Sequence, residues 1–309
     1  MKIIARNSSY PMVGIIIVNW ELYSVTAQCL YSLRSLSYPN FRIVLVDNGS
    51  KDGSGKKLKE NFPEIDVLFN ESNQGFTGGN NLGIQYALEI GLECILLLNN
   101  DTVITPDFLN ILMDRMQKSQ LLAIQPKIMY NHDRSIIWNA GGTYNRFFSK
   151  SITRGENKKD YGQYDHLKLT EWITGCCFLI KSSLVRQIGL LDEKFFMYHE
   201  DVDWSLKIRK LGNELGFEPS AVIYHEAGRS DKNRDNHGEG VVSPFSHYQG
   251  VRNHLFIIRR HTKGLNLVGS WIYQIIKITG YLVYFLLRRR LIKFRYVLRG
   301  AVHGLTKKI

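Results

Sequence analysis

An α/β fold with a mixed, mostly parallel sheet flanked by helices is what this sequence predicts, and three features predict it. Apolar runs without alternation, Val13-Gly14-Ile15-Ile16-Ile17-Val18, Phe41-Arg42-Ile43-Val44-Leu45-Val46 and Ile95-Leu96-Leu97-Leu98, suit strands buried on both faces. Helical stretches separate them at the spacing of the parallel crossover unit. Each run stops abruptly in polar residues, and open sheets of this class bind ligands beyond the carboxyl ends of their strands.

At 309 residues the chain can bury a large core, and 44% apolar residues exclude a disordered one. The net charge of +12 points to nucleic acid until it is located. From Gly240 to Ile309 there are 13 Lys and Arg and no Asp or Glu, so residues 1–239 hold the other 27 bases against all 28 acids. The basicity belongs to a tail, and the expected division is a catalytic body over 1–245 and a basic helical region over 246–309. Cys29, Cys94, Cys176 and Cys177 lack zinc or disulfide spacing, which fits a reducing, cytoplasmic setting. Lys2 and Arg6 ahead of Val13 superficially resemble a signal peptide. The apolar run is short, has no small-residue cleavage site and leads into Asn19-Trp20-Glu21, so it reads as a first strand.

In order, a helix over about 25–36 follows that strand, and the second strand stops at the turn-rich Asp47-Asn48-Gly49-Ser50-Lys51-Asp52-Gly53-Ser54. Residues 65–69 read as a third strand. Asn73-Gln74-Gly75-Phe76-Thr77-Gly78-Gly79-Asn80-Asn81-Leu82-Gly83 leads into a helix carrying Leu82, Tyr86 and Ile90 at four-residue spacing, with Gly91 at its C-cap. Glycines opening a helix let backbone N–H groups approach an anion, although Gly-x-Gly-x-x-Gly is missing. Thr105-Pro106 opens a helix to about Gln117. Ala123-Ile124-Gln125 reads as a short strand, residues 149–166 as a polar loop and 172–180 as another strand. From Glu200, acids at the start, Lys207, Arg209 and Lys210 at the end and Gly212 just beyond mark a helix. Ala221 to Tyr224 is a last short strand ending in His225.

Asp101 is the one carboxylate at the mouth of the central strand, a hard oxygen ligand suited to Mg2+ or Mn2+ holding a diphosphate; the plain alternative is an Asn/Asp turn. Glu200, Asp201 and Asp203 are either a catalytic cluster or ordinary N-terminal acids, each worth roughly 0.3–1 kcal/mol against the helix dipole.

Four stretches in order, Asp47-Asn48-Gly49-Ser50, Asn73-x-Gly75-Phe76-x-Gly78-Gly79-Asn80-Asn81-x-Gly83, Asn99-Asn100-Asp101 and Glu200-Asp201-x-Asp203, resemble the family-2 inverting glycosyltransferases of the GT-A fold. The resemblance covers roughly residues 12–260, and the second stretch looks most like the rhamnosyltransferase-type members that build bacterial surface polysaccharides. It implies transfer of a sugar, rhamnose being the candidate, from a nucleoside-diphosphate sugar to a lipid-linked or polysaccharide acceptor with inversion. By that resemblance Val18, Asn19 and Asp47 contact the base and ribose, with Asn48, Asn73, Gly75, Gly79, Asn80, Asn99 and Asn100 also on the donor side. Asp101 looks like the metal-holding carboxylate of the Asp-x-Asp motif. Asn99 stands where the first Asp often does, leaving one fewer charged ligand. His225 is similar to a His that completes the metal site in some members. Asp201 is the expected base, and Glu200 is expected to orient it or to raise its pKa by like-charge proximity. The acceptor side is assigned to Trp172, Gly175 and Trp204; for the tryptophans, and for Trp138, core packing is the alternative to stacking on a sugar.

In the tail, His247-Tyr248-Gln249-Gly250-Val251-Arg252-Asn253 resembles the Gln-x-x-Arg-Trp motif of processive members, with Asn253 in place of Trp, which implies addition of a single sugar. Leu265 to Leu287 is long enough to span a bilayer, but Asn266, Gln274 and Lys277 interrupt it and Arg259-Arg260 and Arg288-Arg289-Arg290 flank it. It reads as a helix lying in the interface of an anionic leaflet, on the inner face of the cell membrane. The alternative is a soluble helical appendage that pairs in a homodimer. No nucleic acid is expected as a partner. The rival reading is a non-catalytic carbohydrate- or nucleic-acid-binding protein using the basic tail, and a nicotinamide-dependent oxidoreductase suffers from the missing glycine fingerprint.

Overall fold

A computed structural model describes residues 10–227 and 242–309, so Lys2 and Arg6 lie outside the described residues. Strands β1 (Val13–Asn19), β2 (Phe41–Asp47), β3 (Asp66–Phe69) and β4 (Cys94–Leu98) alternate with helices α1 (Tyr23–Leu33), α2 (Ser54–Asn61) and α3 (Gly75–Glu89). The strands pair in the order β3-β2-β1-β4, all parallel. The absence of alternation in β1 now has its cause. Ile15 and Ile17 enter a core with Leu30 and Leu33 of α1, while Ile16 enters a second core with Ile84 and Ala87 of α3.

Next come β5 (Thr102–Ile104), α4 (Phe108–Ser119), β6 (Ala123–Tyr130), β7 (Ile136–Asn139), β8 (Gly142–Asn145), β9 (Lys150–Thr153), β10 (Lys158–Lys159), β11 (Leu169–Thr170) and β12 (Cys177–Lys181). They are followed by α5 (Ser182–Ile188), a short 3-10 turn at Glu193–Phe195, α6 (Glu200–Lys210) and β13 (Leu215–His225). Strand β12 enters antiparallel between β4 and β6 and sets Cys177 opposite Leu98. Strand β13 runs parallel to β6 and antiparallel to β5, which sets His225 opposite Thr102. The GT-A-like arrangement expected, a mixed sheet with a parallel heart and helices on both faces, is the one observed.

Three expected elements differ. The apolar stretch from Trp172 becomes strand only at Cys177, because residues 172–176 bend to meet α6 and the end of β4. The polar segment 149–166 contains β9, which pairs with β8, and β10, which extends the sheet at β7. Helix α3 begins within the glycine-rich stretch, at Gly75, and turns Ile84 and Ala87 inward, leaving Leu82 and Tyr86 half-buried and Ile90 exposed. The glycines decide this: a Cβ at Gly79 would meet Val18 at 2.8 Å and one at Gly83 would meet Ile16 at 2.5 Å, so the bare side of the helix is the side that reaches β1.

The tail forms α7 (Pro244–His261), α8 (Leu265–Leu287) and α9 (Leu291–Thr306). Helix α7 is built into the body. Phe256 sets its edge against Phe195 at 5.9 Å. Asp203 of α6, almost wholly buried, takes Arg260 Nη1 at 2.9 Å, His261 Nε2 at 2.7 Å and Lys207 Nζ at 2.8 Å. Val251 and Leu255 of α7 share a further core with Phe285 of α8 and Val297 of α9.

Burial raises the Asp203 carboxyl, but His261, Lys207 and Arg260 outweigh it and hold the group down at about 2. Its stabilising contribution is complete above the unfolded-state value of about 3.9 and is lost as pH falls toward the folded one. Asp203→Asn is expected to cost about 3 kcal/mol at pH 7, because it strands partly buried cations. Denaturant unfolding should show that deficit shrinking as pH falls below about 4.

Candidate active site

The unshifted register of β1 against β2 stands Asn19 beside Asp47 at the carboxyl edge of the sheet. Asn19 Nδ2 donates to Asp47 Oδ1 at 2.8 Å, Ser54 Oγ at 3.0 Å and Ser50 Oγ at 3.3 Å, while its Oδ1 accepts from Thr26 Oγ1 at 2.7 Å. Asn48 Oδ1 accepts from Asn70 Nδ2 and the Gln74 amide, and its Nδ2 donates to Asn73 Oδ1 and the Gly75 carbonyl. Both asparagines are buried with their hydrogen-bonding capacity taken up inside the protein. They hold Asp47 and the start of α3 from behind. Asn80 is likewise turned inward, donating to the Phe76 carbonyl at 2.8 Å, and Asn100 donates to Thr26 Oγ1 at 2.9 Å. Asp47, Gly75 and Gly79 are buried beside them, and Val18, Asn73 and Asn99 are half-buried at the rim.

Asp101 follows β4, and the pairing of Thr102 with His225 brings His225 Nε2 to 3.0 Å from Asp101 Oδ1. Trp138 sets its ring edge against His225 at 4.4 Å. Both Asp101 oxygens and His225 Nδ1 are buried without a hydrogen bond. A buried carboxylate in that state is costly unless a ligand completes it. One carboxylate and one imidazole are a donor set that would suit a divalent cation. Among the described residues no group of three or more His, Cys, Asp or Glu forms a closed metal site.

The turn at 172–176 joins this position to the second acidic cluster. Asp201 Oδ2 accepts from the Gly175 amide at 3.0 Å and its Oδ1 from the Val202 amide at 2.8 Å. The next carbonyl, Cys176 O, accepts from the Asn99 amide at 2.9 Å, two residues before Asp101. Asp101 and Asp201, a hundred positions apart in the chain, thus flank one turn. The Cys176 thiol registers both: burial first, then the Asp101 charge and more weakly that of Asp201, push it well above the ordinary range. A Cβ at Gly175 would lie 2.9 Å from the Phe76 ring, so only glycine fits between α3 and α6 here.

Glu200 is buried, its Oε2 has no hydrogen bond, and burial with the adjacent Asp201 charge pushes its carboxyl well above the ordinary range. Asp201 is half-buried; burial raises it too, but the Gly175 and Val202 amides favour its ionised form. Two further expectations are corrected. Trp204 is fully buried against Phe178 with Nε1 on the Gly189 carbonyl at 2.9 Å, so it cannot touch an acceptor. Trp172 is buried with Tyr144, Phe195 and Val202, where packing accounts for it.

Sequence reasoning missed what holds α6 in place. Phe196, Tyr198 and His199 all adopt left-handed backbone angles, φ of 63°, 68° and 69°, just before Glu200. Asn253 Nδ2 holds that segment by donating to the carbonyls of Phe195 (2.9 Å), Met197 (2.8 Å) and Tyr198 (2.7 Å). Arg252 Nη2 donates to the carbonyls of Lys194 and Phe195, and its Nε to Asn253 Oδ1. The Gln-x-x-Arg spacing was the available signal, but with Asn253 in place of Trp it was read for single-sugar addition rather than for support.

A raised carboxyl destabilises the fold as pH climbs through its unfolded value of about 4.3, because the unfolded chain ionises first. Glu200→Gln makes the neutral state permanent. Thermal melts should show the variant gaining on wild type as pH rises above about 4.3; a gap that stays constant would contradict a raised Glu200 carboxyl.

A profile described as glycosyl transferase family 2 matches residues 13–189. The low-salt glycan biosynthesis hexosyltransferase Agl10 of Haloferax volcanii is 30% identical over 206 residues, 66% of this chain and 63% of the relative. An N-acetylglucosaminyl-diphospho-decaprenol L-rhamnosyltransferase of Mycobacterium tuberculosis is 25% identical over 66% of this chain and 74% of its own. The fold matches the mannosyltransferase PcManGT of Pyrobaculum calidifontis, solved with GDP-Man and Mn2+, with a TM-score of 0.59 and 13% identity over 98% of this chain and 89% of that one.

Proposed function

The chain belongs to glycosyl transferase family 2, and from that premise we propose that it moves a sugar, rhamnose being the candidate, from a nucleoside-diphosphate donor to a saccharide carried on a lipid diphosphate, with inversion, at an anionic membrane surface. The observation that carries the reading is the turn at 172–176, whose Gly175 amide holds Asp201 and whose Cys176 carbonyl takes the Asn99 amide two residues before Asp101, with both Asp101 oxygens unsatisfied. The Mycobacterium tuberculosis relative supports the acceptor class, since its name specifies a saccharide on diphospho-decaprenol.

Asp201 takes the proton of the attacking acceptor hydroxyl as that oxygen bonds to the anomeric carbon, on the face opposite the departing diphosphate. Its raised carboxyl makes it a stronger base than a solvated aspartate, and the Gly175 and Val202 amides fix its orientation. Glu200 beside it, its carboxyl raised by burial and by the Asp201 charge, favours leaving the negative charge on Asp201. Gly175 keeps the acceptor side open next to the base. Asp101 and His225 would hold a divalent cation such as Mg2+ or Mn2+, which would supply charge neutralisation for the leaving diphosphate.

Among the described residues α8 is the helix long and apolar enough to cross a bilayer. Its exposed side carries Val268, Ile272, Ile275, Ile276 and Leu286, followed by Arg288-Arg289-Arg290, and α9 adds exposed Leu291 and Leu298. Soluble monomers rarely expose so continuous an apolar face. An apolar stripe edged with arginine suits a helix pair lying in the headgroup region of an anionic leaflet, with the rest of α7 to α9 holding the body on the surface.

Asp201→Asn is expected to keep the thermal stabilisation conferred by a nucleoside-diphosphate sugar with Mn2+ and to lose transfer by about a thousandfold; near-normal turnover would remove Asp201 from its role. Asp101→Asn should lose the Mn2+-dependent part of that stabilisation. Wild-type transfer should fall on acidification with a midpoint above the ordinary aspartate value of about 3.9, as the base protonates.

A further inference from the structure

Four basic side chains from four segments meet beside the start of α6. His199 is the residue before Glu200, His254 lies on α7, Lys277 on α8 and Lys150 on β9. The two imidazole rings are 5.2 Å apart, and Lys277 Nζ is 3.4 Å from His254 Nδ1. Lys150 Nζ lies 5.4 Å from the Tyr273 ring centre, which is 6.0 Å from His254. His254 Nε2 donates to the Ser149 carbonyl at 2.7 Å, which leaves Nδ1 as the acceptor facing Lys277. The cluster reaches the surface: Lys150 is exposed, and His199 and Lys277 are half-buried.

The charge acting on Lys277 is a like one, the Lys150 ammonium, and burial together with it holds Lys277 down at about 8. Burial and the Lys277 charge hold His199 at about 3. Gathering bases in this way is unfavourable by itself and becomes favourable when an anion sits among them. The neighbouring surface is apolar. Ile276, adjoining Lys277 along α8, is 67% exposed, and Ile272, adjoining Tyr273, is 51% exposed.

We infer that Lys150, Lys277, His199 and His254 form the headgroup site for a lipid diphosphate, whose hydrocarbon chain runs along the exposed face of α8 while its saccharide reaches Asp201. The inference rests on the acceptor reading proposed above and assigns residues to it. A headgroup held beside His199 places the attached sugar next to the base, and the chain then leaves along the helix that faces the leaflet. Lys277 and Lys150 act as the charge partners, and the neutral imidazoles of His199 and His254 as hydrogen-bonding partners.

The test uses the full chain in EDTA, so that no divalent cation can bridge diphosphate to Asp101. Calorimetric titrations are run with farnesyl diphosphate, inorganic diphosphate and phosphatidylglycerol vesicles. Wild type is expected to bind farnesyl diphosphate at least tenfold more tightly than inorganic diphosphate. Lys277→Gln should weaken that binding at least tenfold and Lys150→Gln several-fold, with vesicle binding retained. Because Lys150 is exposed, the second variant keeps the test decisive if the first fails to fold. Absent farnesyl diphosphate binding in wild type, equal binding by wild type and the folded variants, or equal affinity for the inorganic anion overturns the inference. Loss of vesicle binding in parallel with farnesyl diphosphate binding also overturns it, assigning the lysines to the bilayer surface. Nucleoside-diphosphate binding with Mn2+, measured in the same proteins, separates the two readings: it should be unchanged in both variants, and its absence from wild type would sink the donor reading while leaving this one standing.

Discussion

The hydrogen bond from the Gly175 amide to the Asp201 carboxylate is the constraint on which the rest of this molecule depends. It exists because β12 enters the sheet antiparallel between β4 and β6, so that the turn before it crosses the carboxyl ends of the parallel strands. The same turn receives the Asn99 amide at Cys176. Two acids from distant parts of the chain are thereby fixed against one piece of backbone. A side chain at position 175 would separate α3 from α6, and a shift of β12 by one residue would move the turn away from β4.

Three aspartates and one glutamate near α6 and β4 meet four different environments, and environment rather than residue type sets what each does. Asp203 is surrounded by cations and serves as an anchor between α6 and α7. Glu200 is buried beside another acid, which pushes its carboxyl well above the ordinary range. Asp201 is half-buried with two backbone donors, the balance a base requires. Asp101 is buried with no donor at all beyond the approach of His225, a state that suits a cation. The left-handed run from Phe196 to His199 holds the start of α6 where these differences matter, and Asn253 holds that run through three carbonyls.

The heart of the fold was legible in the sequence because β1 and β4 are buried on both faces, and burial of that kind leaves nothing but apolar residues to write. Asp101, Asp201, Glu200 and His225 were legible as types at the ends of elements. Their distribution of charge was not, since it depends on depth and on which amides point inward. The tryptophans misled for a related reason: an indole with a polar edge suits a sugar or a core equally, and only the Gly189 carbonyl beside Trp204 decides. Residues 149–166 looked like a loop because short edge strands carry polar side chains on both faces. The roles of Arg252 and Asn253 rest on contacts with main-chain carbonyls, which leave no trace in the identity of the residues contacted.

The tail is continuous with this machinery rather than appended to it. Helix α7 holds the segment before Glu200, and α8 and α9 pack on α7, so the apolar side of α8 is joined through Lys277, His254 and His199 to the segment that leads into Asp201, the proposed base. The most direct measurement of the central claim is anomalous diffraction from crystals grown with Mn2+ and a non-hydrolysable nucleoside-diphosphate sugar. The account predicts one Mn2+ peak on Asp101 and His225, with the anomeric carbon of the sugar facing Asp201 across the Gly175 turn. A peak elsewhere, or a sugar lying away from Asp201, would contradict it.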